Sequence, residues 1–487
     1  MTARAPNIVL VMSDQHRGDM MGCAGETGVL TPSFDRLAEE GLRFSRVSCQ
    51  GPLCMPARAS FMTERYVRDH GVYTNWAEIA AASPTYVWAL REAGYHTALI
   101  GKAHLYRDEF HNAAHVNELA PRLQALGFTE VHETGDKFSS STPNRYTDHL
   151  RERGLLDAYA EHIADRSYQG DNESGQNATK RVPMWDATPM PVPLDAYIDS
   201  WHGAEAVRWI DQYSRDEPFF LFVGFPGPHD PWDAPREAVD LYRDVDVSMP
   251  HTTKRPTVEG TGRYSALLNS FLWLSDTETM TENAIRDMRR AYSADITVID
   301  DALGRIVAAL DQRDLLGDSW VIYTSDHGEM AGNHGLMSKC VLYEPAVRVP
   351  LIVRPPRGCA PRTIDALVEH LDVPASIREI AGAPALPNSE GRSLLGYVDG
   401  DQPVRRTVTV SENWGFAAFE TDRYKLVVDE DAVAPCQLFD LHDDPDEDTD
   451  LIGDPDARSV VEGLMETHVR PFLATPPARP HKSIFTG

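Results

Sequence analysis

Side chains that could bind a metal ion follow two aliphatic runs of the sequence. Asp14 follows the run Asn7–Met12, and Asp326 with His327 follows Trp320–Thr324. Each run is typical of a buried β-strand, and ligands of open α/β sheets bind at the carboxyl ends of such strands. Two carboxylates and one imidazole suit Ca²⁺ or Mn²⁺ better than a closed zinc site. A turn or helix cap is the simpler interpretation of Asp14 taken alone.

A cysteine, a proline and an arginine alternate with small or apolar residues in the segment Cys54–Arg58. The pattern is C-x-P-x-R, and a helix is predicted to follow it. A buried cysteine beside a turn proline would give the same letters, because five-residue patterns recur by chance. The segment alone therefore leaves a chemical and a structural interpretation open.

Lysine and histidine residues also follow predicted strands. Lys102 and His104 come after one such run, His229 lies in the Pro- and Gly-rich loop after another, and Lys339 comes after the run that precedes Asp326. A sulfate or phosphate ester builds negative charge on its leaving oxygen, so its hydrolysis needs cations or metal, a nucleophile and a general acid. These strand ends offer all three. Surface lysines and structural histidines are the ordinary alternatives.

Strand-like runs alternate with helical segments along most of the chain. This alternation predicts an α/β fold with a large, mostly parallel sheet sandwiched by helices. The polar stretch Gly127–Pro193 is expected to be a long excursion near the pocket mouth. The predicted strands are Asn7–Met12, His96–Ile100, Pro218–Val223, Trp320–Thr324 and Pro350–Val353; the predicted helices are one beginning at Thr31, Tyr86–Ala93, Asp199–Tyr213 and Asp295–Arg313.

The last part of the chain has a different pattern. Three short strand-like segments are followed by a helix, which predicts a small C-terminal α+β domain with an antiparallel sheet. We therefore divide the chain into a catalytic domain of residues 1–395 and a second domain of residues 396–487. The segments are Arg406–Ser411, Gly415–Glu420, Tyr424–Val428 and the helix Ser459–Leu473.

Length and charge restrict the class of protein. The chain has 487 residues, enough for one large and one smaller domain, and its hydrophobic content of 42% is ordinary for a globular protein. Its net charge of −28 argues against nucleic acid or an anionic membrane as a partner. An anionic substrate would therefore need a local basic pocket within an acidic surface.

The sequence also predicts a cytoplasmic location. The apolar run near the start is too short for a secretory signal, and no run approaches the roughly 20 residues of a membrane span. The glycosylation sequons at Asn172 and Asn177 are then expected to be unused. The six cysteines are scattered without C-x-x-C pairs, which is typical of free thiols rather than a disulfide framework.

Several spaced motifs together resemble the type I sulfatases of the alkaline phosphatase superfamily. The resemblance runs from Pro6 to about Arg354 and continues in the tail, and it is similar to the branch of arylsulfatases, choline sulfatases and phosphonate monoester hydrolases. The motifs are Pro6–Gln15, Thr31–Ala38, Cys54–Arg58, Gly101–His104, Pro228–Pro231, Ser325–Glu329 with Gly332–Gly335 and Lys339, Tyr424–Leu426 and Leu438–Leu441.

The resemblance implies a nucleophile and its cofactors. Cys54 would be oxidised to formylglycine by a formylglycine-generating enzyme, and one hydroxyl of the aldehyde hydrate would attack the ester. One divalent ion, Ca²⁺ or Mn²⁺, would be held by Asp14, Gln15, the residue at position 54, Asp326 and His327.

It also implies roles for the cationic residues. Arg58 would orient the nucleophile, Lys102 and Lys339 would bind the sulfonyl oxygens, His104 would act as a base, and His229 would contact the ester oxygen or act as a general acid. Asn75 would reach a substrate oxygen, although a turn residue is an equally good interpretation.

Two departures from the common pattern affect the choice of substrate. Asp14-Gln15 stands where Asp-Asp is common, and Asp326-His327 stands where Asp-Asn is common. Both features resemble the branch of phosphonate and choline enzymes. Lys102 with His104, in contrast, argues against a phosphonate hydrolase. A choline substrate would need an aromatic cage. The aromatic residues proposed for it are Tyr106, Trp185, Tyr197, Trp201 and Trp232.

The expected function is metal-dependent hydrolysis of a small organic sulfate ester, aryl or alkyl. The alternative is a phosphonate monoester or phosphate diester hydrolase of the same fold, and promiscuity between the two ester classes is expected because the two groups are nearly isosteric. A non-catalytic binding protein is the rival from another class, and the complete set of residues speaks against it. Homo-oligomers are common in such families, which is an analogy only.

Overall fold

The computed structural model describes residues 5–26, 28–106, 113–139, 142–166, 182–183, 185–251, 263–268, 280–400 and 405–478. In this part of the chain the strands form an eight-stranded mixed sheet and a four-stranded antiparallel sheet. The strands of the large sheet are β1 (Asn7–Ser13), β2 (Leu42–Ser48), β3 (His96–Gly101), β4 (Glu130–Glu133), β5 (Phe219–Gly224), β6 (Ser319–Ser325), β7 (Leu351–Arg354) and β8 (Arg362–Glu369).

The first strand lies near the centre of the large sheet. The strand order is β4-β3-β5-β1-β6-β7-β2-β8, and β7 alone runs antiparallel to its two neighbours among these described strands. Alternate residues of β1 enter two separate hydrophobic clusters: Ile8 and Leu10 join one, whereas Val9 and Val11 join the other. Side chains of a strand alternate between faces, so both faces are covered. The predicted mostly parallel sheet sandwiched by helices is confirmed.

The helices cover this sheet and agree closely with the predicted segments, except for one. Helix α10 begins at Glu282 instead of Asp295, where the Thr281 side chain accepts a hydrogen bond from Ala284 N at 3.2 Å. Buried Arg289 interrupts the apolar stripe of its first half, which conceals the helical period. The α-helices are α1 (Pro32–Glu39), α2 (Cys54–Thr63), α3 (Val67–His70), α4 (Tyr86–Glu92), α5 (Ala120–Ala125), α6 (Arg145–Glu152), α7 (Leu156–Arg166), α8 (Ile198–Gln212), α9 (Arg236–Val239), α10 (Glu282–Gln312), α11 (Glu344–Val347), α12 (Asp372–Ile380), α13 (Leu395–Asp399), α14 (Arg458–Leu464) and α15 (Arg470–Leu473).

The tail contains the predicted antiparallel sheet and one strand more than the sequence suggested. Its strands are β9 (Thr409–Asn413), β10 (Phe416–Glu420), β11 (Tyr424–Asp429) and the unpredicted β12 (Ala434–Asp440). Phe416 and Phe439 of this sheet share a hydrophobic cluster with Leu336 and Tyr343, which follow β6. The small sheet therefore supports the loop that carries Lys339. The domain boundary between residues 395 and 396 stays a prediction.

The polar excursion is folded where the structure describes it. It contributes β4, α6 and α7, and Tyr146 and Tyr159 of these helices pack with Trp201 of α8. Asn172 and Asn177, the two sequon asparagines, lie outside the described residues. Within the described ranges, no helix combines the length and the apolar character needed to cross a membrane.

Candidate active site

The two candidate metal-binding carboxylates are brought together by strand register. β1 and β6 are parallel neighbours in which Ser13 pairs with Ser325, so the next residues, Asp14 and Asp326, leave the sheet side by side. Both carboxylates have zero exposure. The backbone N–H of Gln15 donates to Asp326 Oδ1 at 3.1 Å, which links the two strand ends.

Helix α2 places the cysteine and the arginine of the C-x-P-x-R pattern against these carboxylates. Cys54 is the first residue of the helix, and Pro56 falls in the first turn, where a missing N–H costs little. Residues four apart lie on one helix face, so Cys54 and Arg58 point in the same direction. Cys54 Sγ lies 3.7 Å from Asp14 Oδ1 and 3.2 Å from His327 Nε2.

Arg58 bridges both carboxylates. Its Nε donates to Asp326 Oδ2 at 2.8 Å, and its terminal nitrogens donate to Asp14 Oδ2 at 3.2 Å and to the carbonyls of Lys102 and Ala103 at 3.2 and 3.3 Å. Only 2% of its surface is exposed. Burial disfavours its charge, but Asp326, Asp14 and Cys54 raise its pKa, so it remains a cation. Its planar fork suits this bidentate arrangement.

Two glycines allow the Lys102 loop to approach β5 closely. A Cβ at Gly101, whose φ is +92°, would lie 2.1 Å from the Gly224 carbonyl oxygen, and one at Gly224 would lie 2.0 Å from the Lys102 oxygen. Lys102 N donates to that Gly224 oxygen at 2.8 Å. The tight junction directs the Lys102 ammonium towards Asp14 Oδ2, at 2.7 Å.

His104 lies in the same loop and is half-buried. Its Nδ1 has no hydrogen-bond partner among the described residues. Burial, followed by the charge of Lys102, lowers its pKa to about 3. The imidazole is therefore neutral near pH 7, the state in which a base begins.

Glu133 at the end of β4 supports this loop by accepting a hydrogen bond from Ala103 N at 3.1 Å. Burial raises its pKa to about 7. A raised carboxyl pKa means that the folded state binds more protons than the unfolded state, so this group's contribution to stability falls as pH rises from about 4.5 to about 7.

We expect Glu133→Gln to remove that contribution to the pH dependence. The amide oxygen can still accept from Ala103 N, and no proton is lost on raising the pH. Between about pH 5 and about pH 8 the free energy of unfolding of the variant should fall less than that of the wild type, by up to about 3 kcal/mol. Urea unfolding of both proteins at both pH values measures this difference, and equal falls would contradict the assignment.

His229 and Lys339 meet on the other side of the site. The loop carrying His229 is tied to the end of β1, since Asp14 N donates to the Gly227 carbonyl at 3.0 Å. His229 Nδ1 is 2.7 Å from the Asp230 carbonyl oxygen, and the Lys339 ammonium contacts His229 Nε2. The Nδ1–H donates to that carbonyl, so Nε2 accepts from Lys339.

Gln15 and Asn75 have well-defined partners. The Gln15 side chain is buried; its oxygen accepts from the Lys339 ammonium and its NH₂ group donates to Glu329 Oε2. Asn75 Oδ1 accepts from Met55 N at 3.0 Å, which satisfies one of the free N–H groups at the start of α2. Asn75 lies in a turn, as the structural interpretation of this residue expects, and its contact with substrate stays a prediction.

Two further carboxylates near the site were not identified from the sequence. Glu329 is fully buried beside Gln15, and Asp136 lies 3.9 Å from the Lys102 ammonium. Glu329 was present in the motif after β6, but its partner Gln15 is 314 positions away. Asp136 lies in the polar excursion, where no pattern distinguishes it from other acidic residues.

The cluster fits a divalent cation. Asp14, Cys54, Asp326 and His327 are all buried, and their ligand atoms lie within 4.8 Å of one another. His327 Nδ1 is 3.0 Å from the Gly328 carbonyl, an arrangement that turns Nε2 towards the cluster, as in metal-binding histidines. Burial opposes ionisation of Asp14, but Lys102, His229 and Arg58 hold its pKa well below its usual range.

The aromatic residues proposed for a choline cage belong to different hydrophobic clusters. They are distributed over three hydrophobic clusters, and the Tyr197 hydroxyl donates to Asp233 at 2.9 Å and to Asp295 at 2.7 Å. A choline cage formed from these residues stays a prediction. Sequence reasoning could select aromatic residues near the site but could not see that their rings pack into separate parts of the core.

Comparison with known proteins adds independent evidence to this geometry. A sequence model of the family described as Sulfatase matches residues 6–383. The chain belongs to the sulfatase family. A second model, described as N-sulphoglucosamine sulphohydrolase, C-terminal, matches residues 332–470. The family match includes Asp14, Asp326 and His327, the candidate metal ligands after β1 and β6, and the segment that contains Cys54. The resemblance to sulfatases that the motifs indicated is therefore confirmed.

Relatives of this sulfatase family member cover nearly its whole length. It is 30% identical to a choline-sulfatase of Rhizobium meliloti over 93% of this chain and 84% of that protein. It is 25% identical to an arylsulfatase of Clostridium perfringens over 96% of this chain and 94% of that protein. Its fold matches the crystal structure of a phosphonate monoester hydrolase of Agrobacterium radiobacter with a TM-score of 0.78, at 24% identity over 96% and 95% of the two chains.

Proposed function

We propose that this protein hydrolyses small organic sulfate esters, with the residue formed from Cys54 as the nucleophile. The observation that carries the proposal is the position of Cys54 Sγ, beside Asp14 and His327, with Arg58 one turn later on the same helix face. Cys54 Sγ lies at the position that the formylglycine oxygen would occupy. The hydrated aldehyde supplies one hydroxyl to attack sulfur and a second from which a proton can later be removed.

The remaining residues divide the chemistry between two sides of the nucleophile. Arg58 orients the hydroxyl, and Lys102 and Lys339 neutralise charge on the sulfonyl oxygens. His229 contacts the departing alcohol oxygen or, when protonated on Nε2, delivers a proton to it. His104, neutral at pH 7, takes the proton from the second hydroxyl. The bond between the formylglycine carbon and the sulfate oxygen then breaks, so that sulfate leaves and the aldehyde re-forms. The three buried cations supply the local basic pocket that a negatively charged substrate needs within an acidic protein.

We also propose that Asp14, Asp326, His327 and the residue at position 54 hold one divalent ion. The oxygen-rich donor set with one imidazole suits Ca²⁺ or Mn²⁺, which would polarise the sulfonyl oxygens as a Lewis acid. Elemental analysis of the purified protein distinguishes this proposal from a non-catalytic binding protein of the same fold. The expected result is one divalent ion per chain, whereas a protein that has lost the chemistry need not retain it.

The first test of the nucleophile is the mass of the tryptic peptide Val47–Arg58 after co-production with a formylglycine-generating enzyme. We expect an aldehyde or its hydrate at Cys54 and an unmodified thiol at Cys49, which lies in the same peptide and serves as an internal control. A thiol at both positions would contradict formylglycine formation.

The second test concerns the ester class. The rival function is hydrolysis of phosphonate monoesters or phosphate diesters, and Gln15 in place of a second carboxylate resembles the branch that includes both phosphonate and choline enzymes. We expect kcat/KM for an aryl sulfate to exceed that for the matched aryl phosphonate monoester. A preference for the phosphorus ester by more than roughly tenfold, about 1.4 kcal/mol of transition-state binding, would replace the sulfatase proposal by its rival.

The names of the relatives suggest candidates for the alcohol part of the substrate. The relatives are named for choline and for aryl sulfates, so choline sulfate and an aryl sulfate are the two esters to compare. A small alkyl or aryl alcohol in the substrate agrees with the names of both relatives. Comparing the two esters at equal concentration identifies the class of alcohol that the site accepts.

A further inference from the structure

A buried lysine that has no part in the proposed reaction lies behind the β5 loop, residues 227–233. Lys137 follows β4 in the polar excursion and is 1% exposed. Its ammonium donates to the Pro231 carbonyl at 2.9 Å, to Asp233 Oδ1 at 3.4 Å and to Asp295 Oδ2 at 3.3 Å. Two of these three acceptors belong to the β5 loop, so the lysine connects this loop to the excursion.

The surroundings of Lys137 keep its charge in one place. The Tyr197 hydroxyl lies 2.9 Å from Asp233 Oδ1 and 2.7 Å from Asp295 Oδ1, and these three side chains have zero exposure. Burial opposes the charge of Lys137, but Asp295 and Asp233 raise its pKa, so the lysine remains a cation. A buried cation with such close partners has no path to solvent, and its bond to the Pro231 carbonyl is therefore maintained.

The contact with Pro231 reaches the His229 ring through one peptide unit. His229 Nδ1–H donates to the Asp230 carbonyl at 2.7 Å, and the Pro231 carbonyl that accepts from Lys137 is the next one along the chain. Peptide units are planar, so a shift of one carbonyl turns its neighbour. A displaced Pro231 would change the direction of His229 Nε2, the atom that faces the leaving oxygen in the proposed reaction.

The chain next to Lys137 gives the His229 ring a second support. The Phe138 ring meets the His229 ring edge to face, with the ring centroids 6.3 Å apart and the planes at 83°. The Lys137 carbonyl accepts from the Tyr159 hydroxyl at 2.6 Å, so the lysine is held by its backbone as well as by its side chain. One fixed segment of the excursion thus restrains His229 through a hydrogen-bonded carbonyl and through a ring contact.

We propose that Lys137 is a positioning residue that holds His229 against the leaving oxygen of the ester, through the Pro231 carbonyl and Phe138. The inference rests on the proposed function, because it assigns His229 to the leaving group. It also gives the polar excursion a part in the reaction. A residue that acts through His229 assists only the departure of the alcohol, so the effect of its loss depends on which alcohol leaves.

The test uses aryl sulfates whose leaving groups range from 4-nitrophenol to phenol. Lys137→Met alone leaves two buried carboxylates without their cation, so the test variant is Lys137→Met with Asp295→Asn, which keeps the total charge unchanged. 4-Nitrophenolate leaves without help, whereas phenoxide needs a proton or a hydrogen bond. We expect kcat/KM to fall roughly 10- to 100-fold for phenyl sulfate and about threefold or less for 4-nitrophenyl sulfate, since only the first depends on His229.

Two controls separate this effect from a general loss of structure. Asp295→Asn alone keeps the bonds of Lys137 to Pro231 and Asp233, and it should keep the wild-type dependence on the leaving group. Lys425→Met with Glu447→Gln removes another buried lysine, also 1% exposed, together with its carboxylate partner in the C-terminal part of the chain. This pair of substitutions should lower the stability without changing the dependence on the leaving group.

A combination with His229→Ala tests whether Lys137 acts through that histidine. His229→Ala should show the same selective loss for phenyl sulfate. When Lys137→Met and Asp295→Asn are added to it, kcat/KM for phenyl sulfate should change by less than about threefold, because effects that pass through one residue are not additive. Phe138→Leu removes the ring contact but leaves the bonds of Lys137 in place. It should show a smaller selective loss, and it replaces the test variant if that protein does not fold.

Hydrogen exchange of the backbone amides in the β5 loop, followed by mass spectrometry, measures the positioning without turnover. Exchange should be faster in Lys137→Met with Asp295→Asn than in Asp295→Asn. Equal exchange, equal falls of kcat/KM for the two esters, or full additivity with His229→Ala would each overturn the inference. Inactivity of the wild type towards both sulfate and phosphonate esters would instead contradict the proposed function, and the exchange experiment would then still decide whether Lys137 holds the loop.

Discussion

Cys54→Ala is expected to lower kcat by roughly 10⁴- to 10⁶-fold, because it removes the atom at which the proposed covalent chemistry takes place. The side chain is small and 1% exposed. Its partners Asp14 and His327 keep other contacts, so the free energy of unfolding should change by about 1 kcal/mol or less. Steady-state hydrolysis of an aryl sulfate and urea unfolding of the same preparation measure the two effects separately.

Cys340→Ala provides a matched control. Cys340 is also buried and lies next to Lys339, but only its backbone is tied to the nucleophile segment, through a 2.8 Å bond from its N–H to the Pro52 carbonyl. The substitution leaves that bond in place, and turnover should remain near the wild-type value. Residual activity of Cys54→Ala above a few per cent of wild type would refute the assigned nucleophile, whatever the control shows.

Arg58→Ala is expected to damage stability as well as catalysis. Without Arg58, Lys102 still neutralises Asp14 at 2.7 Å, but Asp326 keeps only neutral N–H donors in place of its buried cation. Removing one partner of a buried ion pair costs about 3–5 kcal/mol, because the other charge remains buried. We expect a fall of that size in the free energy of unfolding, measured with urea in the presence of a chelator.

Arg58→Lys and Arg36→Ala separate the causes of this loss. Lysine keeps the charge but cannot bridge both carboxylates and two carbonyls at once, so an intermediate stability and low activity are expected. Arg36 pairs with Glu40 at 3.4 Å on an exposed helix face, and its removal should not measurably change either quantity. Equal stability of Arg58→Ala and wild type would contradict a stabilising ion pair between Arg58 and Asp326.

Added metal gives a further check of the same ion pairs. An ion bound to Asp14 and Asp326 would replace part of the charge that Arg58→Ala removes, so saturating Ca²⁺ or Mn²⁺ should reduce the loss of stability. The wild type should also be stabilised by the ion. An Arg58→Ala protein that gains less than the wild type would argue against these carboxylates as shared ligands.

The amino-acid sequence determined those features that local patterns encode. The aliphatic runs ending in Asp14 and in Asp326-His327 predicted parallel strands with ligands at their ends, and the structure places these residues together because β1 and β6 are in register. The spacing of four residues between Cys54 and Arg58 likewise placed both side chains on the same face of helix α2. Family membership followed from the same motifs, since several spaced patterns rarely occur together by chance.

The tertiary structure decided the contacts that join distant parts of the chain. No periodicity could pair Glu329 with Gln15, place Asp136 beside Lys102, or turn the Asn75 side chain towards Met55 N. The sequence could not place the aromatic residues proposed for a cage for the same reason, because packing distributes equally suitable rings over different hydrophobic clusters. Strand and helix periods act over a few residues, whereas these contacts depend on how complete elements pack, and only the folded chain specifies that.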